Sequence, residues 1–80
     1  EQKAQNIRCY PNPVSDLLNI QSIELIRQVK LFTIEGKLLK QTKLNETDIQ
    51  LNVSDLDRGL YLLQIQGHDG KQSIQKIIKQ

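Results

Sequence analysis

Eighty residues hold one domain at most, and 38% apolar with 25% charged residues is the balance of a folded chain rather than a disordered one. The single cysteine, Cys9, excludes an intrachain disulfide, and no run nears the ~20 apolar residues of a membrane-spanning helix. A net charge of +2 is too small to point to nucleic acid without a concentrated basic patch.

Residues 1–6, Glu-Gln-Lys-Ala-Gln-Asn, are polar and read as the end of a linker, which leaves 7–80 as the domain. The chain opens without methionine or a charged-then-apolar leader, so it is expected to be a piece of a longer polypeptide. Ile7-Arg8-Cys9-Tyr10 is a first strand, closed by Pro11-Asn12-Pro13. Each proline fixes φ at about −65° and lacks an N–H, so the chain leaves the strand without offering an edge. The Asn12 side chain is expected to bond backbone two residues on. Leu18 and Ile20 share a pleat face in the next short strand, and Arg27 to Ile34 alternates Val29 and Leu31 against Lys30, Phe32 and Ile34.

The positions Ile23, Leu25, Ile26, Val29 and Phe32 would also form a helical stripe opened by Ser22. The strand reading is preferred, because the run continues through Thr33 and Ile34 straight into the turn Glu35-Gly36-Lys37. Leu38 to Lys43 then returns antiparallel. Ile49, Leu51 and Val53 alternate with Gln50 and Asn52 in another half-buried strand. Ser54 to Gly59 suits a single turn capped by Ser54 and ended by a left-handed Gly59. Beyond it Tyr61, Leu63 and Ile65 share one face and Leu60 and Leu62 the other, which marks a strand central to the fold. Tyr61 is expected to bury its ring and give its hydroxyl to the backbone. Asp69-Gly70 supplies a further hairpin turn, and Ser73 to Lys79 forms the last strand, with Ile74 and Ile78 opposite Ile77. Six or seven short strands at a spacing of about ten residues specify an all-β sandwich.

No catalytic set emerges. His68 is the only histidine and sits in a polar turn, and a Cys9–His68 nucleophile pair would need an oxyanion site that nothing in the sequence supplies. Asp48, Asp55, Asp57 and Asp69 lack the spacing of a calcium-binding loop, so no cofactor is expected. Asn45-Glu46-Thr47 and Asn52-Val53-Ser54 match the glycosylation pattern by accident of a polar sequence. With only Tyr10, Phe32 and Tyr61 as aromatics, stacking platforms for bases or sugars are not expected. Lys71, Lys76 and Lys79 flank Ile74, Ile77 and Ile78, a pattern that by itself protects a sheet edge. Edges left unpaired would allow a weak homodimer by strand pairing.

Four segments come in order: Tyr10-Pro11-Asn12-Pro13, Gly36-Lys37, Gly59-Leu60-Tyr61-Leu62-Leu63-Gln64-Ile65 and Lys76-Ile77-Ile78-Lys79. Together they resemble the C-terminal sorting domain of the type IX secretion system of Bacteroidetes, over about residues 7 to 80. Cys9 departs from the usual aliphatic residue but behaves as a small hydrophobe. The resemblance implies an immunoglobulin-like antiparallel β-sandwich of about seven short strands and a sorting signal that performs no reaction. It implies an N-terminal cargo in the same precursor, passage from the periplasm across the outer membrane, a shuttle protein there as receptor, and a sortase that removes the tail. The cargo is then released or attached to lipopolysaccharide at the cell surface. The resemblance also moves functional weight to Lys76, Ile77, Ile78, Lys79 and Gln80, where edge pairing would bring Lys76 and Lys79 to acidic groups. Tyr10, Pro11, Asn12, Pro13, Gly36, Gly59 and Tyr61 are expected to hold the architecture. An immunoglobulin-like stalk, or a carbohydrate- or protein-binding module of a cell-surface enzyme or adhesin, would share this fold. An expected lack of surface aromatics, the closeness of Lys79 to the end of the sequence and an expected place C-terminal to something larger favour sorting.

Overall fold

The computed structural model describes residues 7–80, so the linker expected over residues 1–6 lies outside the described residues. Five strands run in order: β1 (Ile7–Tyr10), β2 (Leu17–Thr33), β3 (Leu38–Asn52), β4 (Gly59–Gly67) and β5 (Gln72–Lys79). All neighbouring strands are antiparallel. The domain is all-β, and the run from Ser22 to Phe32 is strand and not helix.

Seven expected pieces become five strands because two breaks in alternation are bends rather than ends. Leu18–Ile20 and Arg27–Thr33 join into β2, and Leu38–Lys43 and Ile49–Asn52 join into β3. The reason lies in the register. Gln21 faces Asp48 and Ile26 faces Glu46, so Ser22 to Leu25 on β2 stand opposite Thr47 alone on β3. A bulge of this kind bends and twists a ladder without ending it. Before the bulge β2 pairs with β1 and the second half of β3; after it, β2 pairs with the first half of β3 and with β4. One bent hairpin thus belongs to two layers, β1–β2–β3 and β3–β2–β4–β5.

The faces that meet between the layers carry the apolar side chains. Leu18, Ile20 and Leu51 come from the first layer, and Ile26, Val29, Leu31, Leu63, Ile65 and Ile77 from the second. Val14 and Val53, from the connecting segments, fill the end of the same core. β4 is central, paired to β2 on one side and β5 on the other. The β2–β3 turn closes through hydrogen bonds from Gly36 N–H to Thr33 carbonyl (2.9 Å) and from Thr33 N–H to Lys37 carbonyl (2.9 Å). Gly36 takes φ +99°, a conformation costly for any side-chain-bearing residue.

The β3–β4 connection differs from the expected capped helical turn. Asn52 accepts from both the Ser54 amide (2.9 Å) and hydroxyl (2.6 Å), so Ser54 is held by its neighbour instead of capping the residues after it. Gly59 is not left-handed helical. Its φ of +154° is a glycine-only extended state, and it begins β4 directly. Tyr61 buries its ring and donates its hydroxyl to the Asp57 carbonyl at 2.6 Å, which fastens this loop to the core.

Candidate functional site

The last strand is held from both sides. Toward the interior β5 pairs with β4 from Gly59 opposite Lys79 to Gln66 opposite Gln72. Its outer side meets the segment that comes after β1. There the Asn12 side chain donates to the Lys76 carbonyl (2.9 Å) and accepts from the Ile78 amide (2.9 Å). Val14 continues the contact, its N–H donating to the Ile78 carbonyl (2.8 Å) and its carbonyl accepting from the Gln80 N–H (2.9 Å). A carboxamide offers the same donor and acceptor as a peptide group, so Asn12 stands in for one residue of a neighbouring strand.

This seam corrects two expectations. Asn12 does not bond backbone two residues on; it reaches residues 64 and 66 positions away. Edge pairing along Lys76–Gln80 is also closed in the folded domain, because Lys76 C=O, Ile78 N–H, Ile78 C=O and Gln80 N–H are already engaged. The prolines explain why the segment works. Pro11 and Pro13 lack N–H groups, so Asn12 is presented from a backbone that cannot zip into either sheet at those positions. Both the Tyr10–Pro11 and Asn12–Pro13 bonds are cis. The Asn19 amide donates to the Tyr10 carbonyl at 3.2 Å, which ties the turn to β2.

Alternation sorts the five residues at the end of the sequence. Ile77 and Lys79 point inward and are buried, Lys79 to 9% exposure, with its Nζ donating to the Gln80 carbonyl at 3.2 Å. Lys76, Ile78 and Gln80 face out. Near the inward end, Lys40 reaches across to Asp55 (Nζ to Oδ1 3.1 Å). That Lys40 hydrogen bond holds the Asp55 carboxyl below its ordinary range, helped by its own backbone amide and by the positive charges of Lys40 and Lys79.

The chemistry-bearing residues lie apart. Cys9 sits on β1 opposite Ile20 and packs against the core, and burial pushes its thiol pKa up to about 11. Such a thiol is protonated at neutral pH and is a poor nucleophile. His68 lies in the β4–β5 turn, where its ring nitrogen is 4.0 Å from Glu24 and its backbone bonds Leu25 and Arg27. Among the described residues, no three His, Cys, Asp or Glu side chains are placed to hold a metal ion.

Tyr10 is the aromatic that the sequence reading did not place on the surface. It is 43% exposed and lines a shallow cleft of about 270 Å³ with Asn19, Gln21, Asp48 and Gln50 on the outer face of the first layer. The Arg8 guanidinium lies 5.6 Å from the centre of its ring, so that face of the ring is occupied.

Two curated proteins show similarity along nearly the whole chain. It is 31% identical over 80 residues to ulvan lyase NLR42 of Nonlabens ulvanivorans, covering 96% of this chain and 15% of that protein. It is 27% identical over 77 residues to beta-agarase D of Zobellia galactanivorans, covering 96% of this chain and 16% of that one. The chain therefore spans about a sixth of the length of these relatives. The family described as "Secretion system C-terminal sorting domain" matches residues 8–80, which include all four ordered segments and both sides of the seam. The chain belongs to this family of type IX secretion sorting domains.

Proposed function

We propose that the chain is the export address of a larger precursor, presented as a folded β-sandwich that performs no reaction itself. In this reading the cargo precedes it in the same polypeptide. An outer-membrane shuttle of the type IX machinery receives the folded tail, and a sortase removes it, so that the cargo is released or held at the cell surface on lipopolysaccharide. The family match over residues 8–80 carries the reading, and the closed seam supports it by giving the last strand one defined geometry. The two relatives are named for enzymes that act on polysaccharides, which supports a secreted enzyme as the cargo. The signal is carried outward by Lys76, Ile78 and Gln80, while Ile77 and Lys79 anchor the strand that displays them.

A fusion of residues 1–80 behind a signal peptide and a fluorescent protein, expressed in a type IX-competent host, tests this. Fluorescence at the surface or in the medium is expected. Periplasmic retention together with binding on a glycan array would instead support a carbohydrate-binding module. Deletion of Ile77–Gln80 is expected to strand the cargo in the periplasm. That truncation also removes the core side chain of Ile77 and the partners of Asn12 and Val14. Lys76→Glu and Ile78→Gln, which change outward side chains alone, are the sharper variants.

A further inference from the structure

The outer face of the second layer carries a continuous apolar surface that the fold does not use. Register places Leu38, Phe32, Leu62 and Lys76 in one row across β3, β2, β4 and β5. Leu60 and Ile78 stand opposite each other in the adjoining row, and Ile34 comes directly after β2 at the same end of the layer. Leu38, Leu60, Ile78 and Ile34 are 41–56% exposed, while Phe32 and Leu62 are half-buried among them. These side chains sit on the solvent side of strands whose other faces already fill the core, so packing gives no reason for them. A contiguous exposed patch of this sort marks an interaction surface.

Charge is sorted in the same way. The next two rows are Gln41, Lys30, Gln64 and Ile74, then Lys43, Gln28, Gln66 and Gln72. Across all these rows stand Lys30, Lys43 and Lys76, and no carboxylate. The nearest acid in sequence, Glu35, lies in the turn beyond the apolar end. We infer that this face is the docking surface by which the folded tail is received, and that its occupant is a protein surface apolar at its centre and edged with carboxylates. The apolar rows supply the desolvated centre of such an interface, and the lysines select an acidic rim and exclude a basic one. The inference rests on the sorting reading and assigns the surface that reading requires. It also explains why Ile78 and Lys76 point outward: both belong to this face.

The test uses the fluorescent fusion in a type IX-competent host. Leu60→Gln with Ile78→Gln, and separately Lys30→Glu with Lys76→Glu, are each expected to lower export by about tenfold or more, with the protein accumulating in the periplasm. Gln21→Glu with Ile23→Gln, exposed changes outside this face, is expected to leave export unchanged. Protease resistance of the periplasmic protein establishes folding, and the lysine pair serves if the apolar pair proves protease-sensitive. Wild-type export with unaffected face variants, or equal loss in the control, overturns the inference, and unaffected variants also remove the signal from Lys76 and Ile78, while export of the tail as such still stands. Retention of the wild-type fusion refutes the sorting reading itself. Vesicles containing phosphatidylglycerol that bind the wild-type fusion but not the Lys30→Glu, Lys76→Glu variant would assign the face to lipid. A dimer dissociated by Leu60→Gln with Ile78→Gln would assign it to a second copy, and either result overturns the proposal.

Discussion

Replacing Asn12 by alanine removes both side-chain hydrogen bonds of the seam and nothing from the core, since Asn12 is exposed and touches β5 through its amide. A neutral hydrogen bond contributes about 0.5–1.5 kcal/mol net, so two bonds bound the loss at about 1–3 kcal/mol. Water can reach the freed Lys76 carbonyl and Ile78 amide at this exposed edge, which places the expected loss in the lower half, about 1–2 kcal/mol. A domain of this size has about 4–12 kcal/mol in total, and each lost kcal/mol lowers its midpoint by about 4–8 °C. Thermal and denaturant melts of the 80-residue chain read the global effect. Amide exchange reads the local one: Ile78 N–H, which points to Asn12 and away from β4, is expected to exchange faster, while Ile77 and Lys79 change less. Asn12→Asp sharpens the test. It keeps the acceptor for Ile78 N–H but sets an oxygen against the Lys76 carbonyl, so it is expected to do no better than alanine at pH 7. It should recover only below pH of about 4, where the carboxyl regains a proton to donate. A melt shifted by less than about 0.3 kcal/mol, with unchanged exchange at Ile78, would refute the seam as a stabilising contact.

Tyr61→Phe is expected to cost about 1 kcal/mol through the Asp57 bond alone, and Tyr61→Ala about 3–5 kcal/mol through the buried ring; an alanine loss below ~1 kcal/mol in denaturant melts would refute the packing argument. The Cys9 thiol, raised from 9.0 to about 11 by burial, is expected to react slowly with a thiol reagent at pH 8 and at the free-thiol rate once the chain is unfolded. Because its folded pKa lies above its unfolded one, the contribution of Cys9 is complete below pH 9 and is lost as pH rises toward about 11; a Cys9→Ala chain should lack that alkaline decline. Asp55 titrates low when folded, so its contribution is present above the ordinary aspartate range and is lost as pH falls through the depressed folded value. Acid melts of Asp55→Asn and Lys40→Ala, both expected to flatten this decline slightly, check the assignment.

Strand alternation was readable wherever one face is buried. Tyr61, Leu63 and Ile65 announced the central strand, and β4 takes that place. The breaks near Gln21 and Lys43 were equally visible, but alternation cannot distinguish the end of a strand from a bulge that bends it, because both interrupt the period of two. The inward position of Lys79 could have been read from the sequence, since residues 77 and 79 must share a face. What hid it was its charge, which ordinarily stays outside and here is buried beside the Gln80 carbonyl. The partner of Asn12 was not legible. A contact across 64 or 66 residues leaves no local signature, whereas turn preferences describe only near neighbours. The apolar outer face escaped for a related reason: Phe32, Leu38, Leu60 and Ile78 come from four strands, and only the register brings them side by side.

The distance between the two halves of the seam bears on when the domain can become complete. Asn12 is made 64 and 66 residues before its partners Lys76 and Ile78, and Val14 likewise precedes Ile78 and Gln80. A nascent chain halted before β5 leaves the Asn12 amide and Val14 backbone without partners and β4 with an open edge. Such an unfinished polypeptide cannot display Lys76 and Ile78 in their closed geometry. Only a chain read through to β5 can therefore close the seam and bring Lys76 and Ile78 into place beside Leu60 and Leu62.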